Sequence, residues 1–501
     1  MYRVICAAVL VFAGIAMGTF ATRSTTSVET KRPTRNPDVP ELRASNHVLS
    51  LELHAGVTAE GKDAFFFNGQ PVAPTLRLAS GDQLKITYVN DLPVKAKESC
   101  AISPCMDMTN LHFHGLEVSP DAPQDDVISM MAKPGESLSY TVQIPADHPP
   151  GLYWYHTHPH GESHRQVLDG MSGAIVIEGM EQYVPTVAGL PERILVLRGR
   201  SLEADTHANE VRQKVAIEGG SSCGANKDAA NELMTLNGTL RPQIAIAPGE
   251  RQFWRVVNAS ADRYADLQLA GQQFEVVAMD GMPIAAHDPG HPTRDLNHVL
   301  LPPAGRMEAI VTGPPAASAT PHFISRCVDT GPDGDPNPAM VLADILPGSN
   351  PQTPARTSAS KDGQKPIVKK LDVAAVENTP PQFTVVFTED KNGFYINGAK
   401  YEPEAAPMVR TKVGTLQHWR VINDSRELHP MHIHQVHFLA YAENEKPIAN
   451  PLWLDTVNVS AGGSVDVVMD FTDPVIKGMS VFHCHLLNHE DKGMMAKILF
   501  E

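Results

Sequence analysis

Long hydrophobic runs are almost missing from this 501-residue chain. One occurs, from Val4 to about Ala21 in MYRVICAAVLVFAGIAMGTFATRS. Arg3 precedes it, polar residues follow, and small residues stand at Ala16, Gly18 and Ala21. That is the shape of a secretory signal peptide, assigned to residues 1–21; an uncleaved anchor is the alternative. No twin arginine precedes the run, and Cys6 lies too early in it for a lipoprotein acceptor. The mature chain is therefore expected to be exported, periplasmic or extracellular, with no stable membrane association.

Positive charge is also scarce. Lys and Arg number 41 against 57 Asp and Glu, a net charge of −16. That excludes nucleic acid and anionic membrane as natural partners. Sustained helical periodicity is absent, while 41 Pro and 36 Gly punctuate the chain. Short strand-like runs such as HVLSLELHA, DQLKITYVN, GAIVIEG, FTVVFTED and SVDVVMDF recur between turn residues. Together these point to an all-β protein. At roughly 100–200 residues per domain, the length suits about three domains.

Cysteines number six. Cys6 leaves with the signal, and Cys484 has a separate role argued below. Cys100, Cys105, Cys223 and Cys327 remain, and four cysteines allow three pairings. Cys100–Cys105 is local and Cys223 and Cys327 flank the middle third, so that pairing is expected.

What is present is a degenerate repeat. FFFNGQPVAPTLRLASGDQLKITYVND, TLNGTLRPQIAIAPGERQFWRVVNAS and YINGAKYEPEAAPMVRTKVGTLQHWRVIND each read as an Asn-Gly hairpin turn, an edge segment and a strand ending in Asn. Their spacing of about 160–170 residues predicts three copies of one β-sandwich unit. A break falls at Gln182–Glu192, and PGSNPQTPARTSASKDGQKP has linker composition. The expected units are 46–181, 192–346 and 367–501, with a linker at 347–366.

Histidines number 22, and ten of them fall in four short motifs. These are HFH (His112, His114), HTH (His156, His158), HPMHIH (His429, His432, His434) and HCHLLNH (His483, His485, His489). On a strand, residues i and i+2 share a face, so each H-x-H presents two imidazoles side by side. One such pair is more often a solvated or packed histidine pair. Four, divided between the first and last thirds, suit a polynuclear metal site.

The segment HCHLLNHEDKGMM is sharper still. Two His, one Cys and a weak axial Met form the blue-copper electron-transfer set. Cys484, His489 and Met494 would supply three of these from one loop, and His429 is available as the fourth. Strand alternation turns Cys484 away from His483 and His485, so a second metal site can lie on the opposite face. A catalytic thiol would need one histidine base, a structural zinc site four ligands, and a disulfide from Cys484 would strand another cysteine.

Taken in this order along the chain, the four motifs resemble the multicopper oxidase family, in its three-domain laccase-like branch. The resemblance spans about Asn46 to Glu501 and implies three cupredoxin-like Greek-key domains and four copper ions. By resemblance, His429, Cys484 and His489 bind type 1 copper with Met494 axial, an arrangement expected to lower its potential. His112 and His432 bind type 2 copper. His114, His156 and His485 bind one type 3 copper, and His158, His434 and His483 bind the other. His160, His164 and His437 are read as non-ligating, and Met495 as a neighbour of the ligand Met494.

The resemblance also implies proton carriers for dioxygen reduction. Glu490 follows a ligand directly. Asp125, in DAPQDDV, stands where the family places an acid, with Asp121 and Asp126 as alternatives. The expected partners are dioxygen and a small reductant, with the chain a monomer. No Met-rich stretch lies between Lys365 and His429. Metal-oxidising relatives often carry such a stretch, because thioethers bind Cu(I), so the resemblance implies phenols or aromatic amines, as in a laccase, over Cu(I) or another metal ion. The Met106/Met108 and Met130/Met131 pairs suit packing. A non-catalytic exported copper-binding protein is the reading from another class. Four N-x-S/T sequons (Asn237, Asn258, Asn423, Asn458) would matter in a glycosylating cell.

Overall fold

The computed structural model describes residues 39–94, 107–203, 205–217, 223–224, 230–315, 320–348, 371–377 and 379–501. The expected signal peptide, Cys100, Cys105, Met106 and all but the first two residues of the expected linker lie outside the described residues.

Among the described residues, six sheets form three face-to-face pairs. In the first pair, inward residues of Val48–Val57 and Gln83–Asn90 meet those of Thr75–Leu78 and Ser172–Ile177 in one apolar cluster containing Leu53, Ile86, Leu76 and Ile175. The second is centred on Trp254, Leu267 and Phe323, and the third on Trp419, Met431 and Phe482. Burying one such large side chain stabilises the fold by about 1.5–3 kcal/mol. The all-β sandwich architecture expected from the sequence is what the chain adopts.

The repeated sequence is a repeated backbone. In each unit a long strand pairs in parallel with the strand that follows the Asn-Gly turn. The pairs are Val48–Val57 with Gln83–Asn90, Glu192–Ser201 with Arg251–Asn258, and Phe383–Asp390 with Thr415–Asn423. The three turns superpose in φ, with Asn68/Gly69 at 50°/73°, Asn237/Gly238 at 48°/78° and Asn397/Gly398 at 49°/74°. Two successive positive φ values define the hairpin turn that Asn-Gly favours.

The strand-ending asparagines are structural too. Asn90 Nδ2 donates to Asp107 O and Ala132 O, Asn258 Nδ2 to Arg263 O and Leu301 O, and Asn423 Nδ2 to Glu427 O and Val459 O. Each amide is buried and satisfies carbonyls that would otherwise lack donors. The sequons at Asn258 and Asn423 therefore carry internal clasps, with no room for a glycan.

Two strand pairings position the site. His112–His114 runs antiparallel to Gly151–His156 with His112 opposite His156. His429–Ile433 runs antiparallel to Gly478–Cys484 with His432 opposite His483. Each pairing sets two histidine motifs side by side, one pairing in the first unit and one in the third. The disulfide expected in the middle third joins Cys223 to Cys327.

Candidate metal centre

Strand geometry alone explains only part of the clustering. Both residues of the first H-x-H lie within a strand, but His156, Ile433 and Cys484 are last residues of theirs. His158, His434 and His485 thus follow strand ends, where the chain turns. The i,i+2 neighbours still sit together, with ring centroids 5.4 Å apart for His112/His114, 5.9 Å for His156/His158, 5.1 Å for His432/His434 and 5.3 Å for His483/His485.

These eight imidazoles form one buried group. His158 Nε2 and His434 Nε2 lie 3.4 and 3.2 Å from His483 Nε2. His114, His156 and His485 have ring centroids 5.1–5.8 Å apart. His112 stacks on His434 at 3.7 Å and lies 6.1 Å from His432. Burial, reinforced by neighbouring imidazoles, holds His112, His114, His158, His434 and His485 well below the usual imidazole range. Burial likewise brings His156 and His432 to about 3 and His483 to about 4. Neutral imidazoles are the ligand form.

A second group surrounds Cys484. Its Sγ lies 3.4 Å from His429 Nδ1 and 4.0 Å from His489 Nδ1, and the two nitrogens are 3.3 Å apart. His489 and Glu490 ride on a short helix, Leu487–Asp491, where the sequence suggested a loop. The helical turn is too short to leave a periodic signature. Met494 packs in the same apolar cluster as Cys484, whereas Met495 packs with Val127 and Val481. Burial pushes the Cys484 thiol well above its usual range, so a thiolate here needs a cation.

The donor atoms fit a metal. His112 Nε2, His114 Nδ1, His156 Nε2, His432 Nε2, His434 Nδ1 and both nitrogens of His485 are buried without a hydrogen-bond partner among the described residues. Orphaned polar atoms at this density would be costly unless ligands satisfied them.

Carboxylates flank the group. Asp125 accepts from His112 Nδ1 at 3.0 Å, Phe113 N at 2.9 Å and Gln435 Nε2 at 2.7 Å. Asp126 instead caps the backbone of Ile128 and Ser129, and Asp121 is exposed. Glu490 lies 3.0 Å from Ser163 Oγ and 3.3 Å from His483 Nδ1. Burial pushes both Asp125 and Glu490 well above the usual carboxylate range. His160 contacts Tyr401 Oη at 3.1 Å, His164 pairs with Asp262 at 2.7 Å, and His437 pairs with Glu117 at 3.1 Å.

Several acids escaped the sequence reading. Asp455, in WLDTVN, meets His114 Nε2 at 3.3 Å. Outside the Cys484 group, Glu427 Oε1 lies 3.4 Å from His489 Nε2 and Glu389 Oε2 lies 3.8 Å from His429 Nε2. Burial and the neighbouring Glu389 push Glu427 up to about 10. Next to His489 opens a cavity of about 360 Å³ whose lining includes Glu203, Glu232, Asp262, Asp335 and Glu427. None of these acids lies in a motif, and chain separation hides their convergence.

Known proteins carry the same plan. Family models described as multicopper oxidase match residues 54–182, 195–330 and 374–501. The multicopper oxidase mco of Staphylococcus aureus is 25% identical, covering 86% of this chain and 83% of its own. A laccase of Bacillus subtilis is 24% identical, covering 86% and 88%. Among solved structures, a multicopper oxidase from Campylobacter jejuni, described as a metallo-oxidase, superposes with a TM-score of 0.69 at 24% identity, covering 94% of this chain and 95% of that one. McoA from Aquifex aeolicus gives 0.69 at 18%, covering 93% and 99%. With its three units, its ten clustered histidines and its single buried free cysteine among the described residues, this chain belongs to the copper-binding multicopper oxidase family.

Proposed function

We propose that the protein is an exported oxidase that takes single electrons from a small cationic reductant and delivers four of them to dioxygen, giving two waters. Bound copper would supply the one-electron redox chemistry and the dioxygen reduction. His429, Cys484, His489 and Met494 would hold type 1 copper. His112 and His432 are assigned to type 2, and His114, His156 and His485 with His158, His434 and His483 to the type 3 pair. The observation that carries this reading is the single residue Cys484, which faces His429 and His489 through Sγ while its carbonyl accepts from His483 Nδ1 at 3.0 Å. One residue thus bridges both groups through a few covalent bonds. Asp125 and Glu490, each touching a histidine of the buried group, are assigned as the groups that hold and pass protons.

The cavity beside His489 supports the choice of reductant. Its five carboxyls outnumber Arg263 and His164 in the lining, Glu427 can take a cation by giving up its proton, and no methionine is among the described lining residues. Carboxylate oxygens suit hard divalent ions such as Mn(II) and Fe(II), whereas Cu(I) prefers thioethers. The lining therefore moves the balance from the phenols favoured by sequence to a hard metal ion. Glu427, against His489 Nε2, would hold that ion next to the electron-accepting ring.

Oxygen uptake by the copper-loaded protein with Fe(II), Mn(II), Cu(I), a phenol and an aromatic amine tests the reading. Uptake fastest with a divalent ion, with KM raised by Glu427→Gln, is expected. Fastest uptake with the phenol restores the laccase reading. A blue protein that consumes no oxygen with any of these reductants is a copper-binding protein without oxidase activity.

A further inference from the structure

Four histidines of the buried group are held through Nδ1. His112 meets Asp125, His156 meets Thr157 O, His432 meets Asp455 O and His483 meets Cys484 O. Each of these bonds leaves Nε2 for a metal. His114 is reversed. Its Nε2 faces Asp455 Oδ1 at 3.3 Å, and its Nδ1 is the atom without a hydrogen-bond partner.

Asp455 is itself clamped. Arg306 Nη1 and Nη2 donate to its two oxygens at 2.8 and 2.6 Å, a bidentate pair in which both residues are fully buried. Arg306 is fixed in turn by Asp280 O at 2.7 Å and Leu152 O at 3.2 Å. Thr456 Oγ1 donates to Asp455 Oδ1 at 2.8 Å. Arg306 belongs to the middle unit, Asp455 to the third and His114 to the first. The unit that carries none of the clustered histidines thus reaches His114 through Arg306 and Asp455, with Asp280 Oδ2 also accepting from Asp455 N at 3.2 Å.

We propose that Asp455, clamped by Arg306, is a positioning residue that fixes His114 with Nε2 toward the protein and Nδ1 toward the metals. The proposal rests on the copper assignment above. Without the carboxylate, the His114 ring is free to rotate and to present either nitrogen, and one type 3 position loses a correctly aimed ligand. Partners of this kind typically change metal affinity by about 10–100-fold when removed.

Removing the Asp455 charge alone would leave Arg306 buried with only Asp280 Oδ1, at 3.7 Å, as a carboxylate partner, a change that can prevent folding. The test therefore uses the double variant Asp455→Ala/Arg306→Met and, as its control, Asp455→Asn/Arg306→Met, whose Asn Oδ1 can still accept from His114. Copper per chain, blue absorbance and EPR are read for each. The alanine variant is expected to keep the blue colour, to hold trinuclear copper about 10–100-fold more weakly, and to show EPR-visible copper from a broken type 3 pair. Asp455→Asn/Arg306→Met is expected to stay within a few-fold of the parent. A blue alanine variant with full copper and an unchanged EPR spectrum overturns the proposal. So does a folded Asp455→Asn/Arg306→Met protein that loses trinuclear copper, whether or not the alanine variant folds. A parent that binds no copper fails the assignment itself, which separates the two failures.

Discussion

Cys484 Sγ lies 3.4 Å from His429 Nδ1, across the antiparallel pairing that sets His432 opposite His483. One strand pairing therefore builds part of both metal groups, with Cys484 on one face and His483 on the other. Cys484→Ser removes the thiolate while leaving the imidazoles in place. Blue absorbance and turnover are expected to vanish, while histidine-bound copper remains measurable by EPR and metal analysis. Full activity in this variant would break the proposed electron route.

Glu490 offers a separate handle on protons. It touches Ser163 Oγ and His483 Nδ1 but no atom of the Cys484 group in the contacts described. Glu490→Gln keeps shape and removes the exchangeable carboxyl proton. Reoxidation of the reduced protein by dioxygen should slow by about 10²-fold or more, the usual contribution of a positioned acid or base. Reduction of the type 1 site under anaerobic stopped flow should keep its parental rate.

Much of this was legible in the residues because it is local. An Asn-Gly turn needs two positive φ values wherever it occurs, so three such turns gave three units. H-x-H on or beside a strand puts two rings together, so the four motifs gave the site's inventory. Asp455, Arg306, Glu427 and Asp262 were illegible for the opposite reason. Asp455 lies 341 residues from His114, and an isolated Asp or Arg has no periodic or motif signal that reports a partner in another unit. That Asp125 touches His112 while Asp121 and Asp126 do not likewise needed side-chain directions, since DAPQDDV offers three equivalent carboxyls to the eye.

The His164–Asp262 pair beside the acid-lined cavity predicts a pH effect on stability. Burial alone would lower His164, but Asp262 at 2.7 Å overrides it and raises the imidazole from 6.5 to about 9. A folded value above the unfolded one means stabilisation fully present below pH 6.5 and lost as pH rises through about 9. Discounted for partial exposure, the pair is worth on the order of 2 kcal/mol. Thermal unfolding of the parent and His164→Gln should differ below pH 6.5 and converge near the upper value. A constant difference across that window would show that the imidazolium is not the stabilising form.

The Cys223–Cys327 bridge spans 104 residues of the middle unit. Closing a loop of that length restricts the unfolded chain, and removal typically costs about 2–4 kcal/mol. The Cys223→Ser/Cys327→Ser protein should unfold at lower denaturant by that amount. Its blue absorbance and EPR spectrum should match the parent, because neither sulfur belongs to the metal groups.

Gly115 follows His114 directly and has φ +83°. A Cβ at this position would stand 2.3 Å from Arg306 Nη2, 2.7 Å from Asp455 Oδ2 and 3.1 Å from the Tyr153 ring. Only glycine lets the chain turn there while the Arg306–Asp455 pair closes against His114. Gly115→Ala combines an unfavourable left-handed backbone with overpacking against a buried ion pair. The expected loss is about 2–4 kcal/mol of unfolding free energy. Because the added methyl presses on the groups that hold His114, trinuclear copper should weaken while the blue band stays unshifted. Equal losses at both copper groups would mean that the damage is general unfolding, with no local displacement of His114.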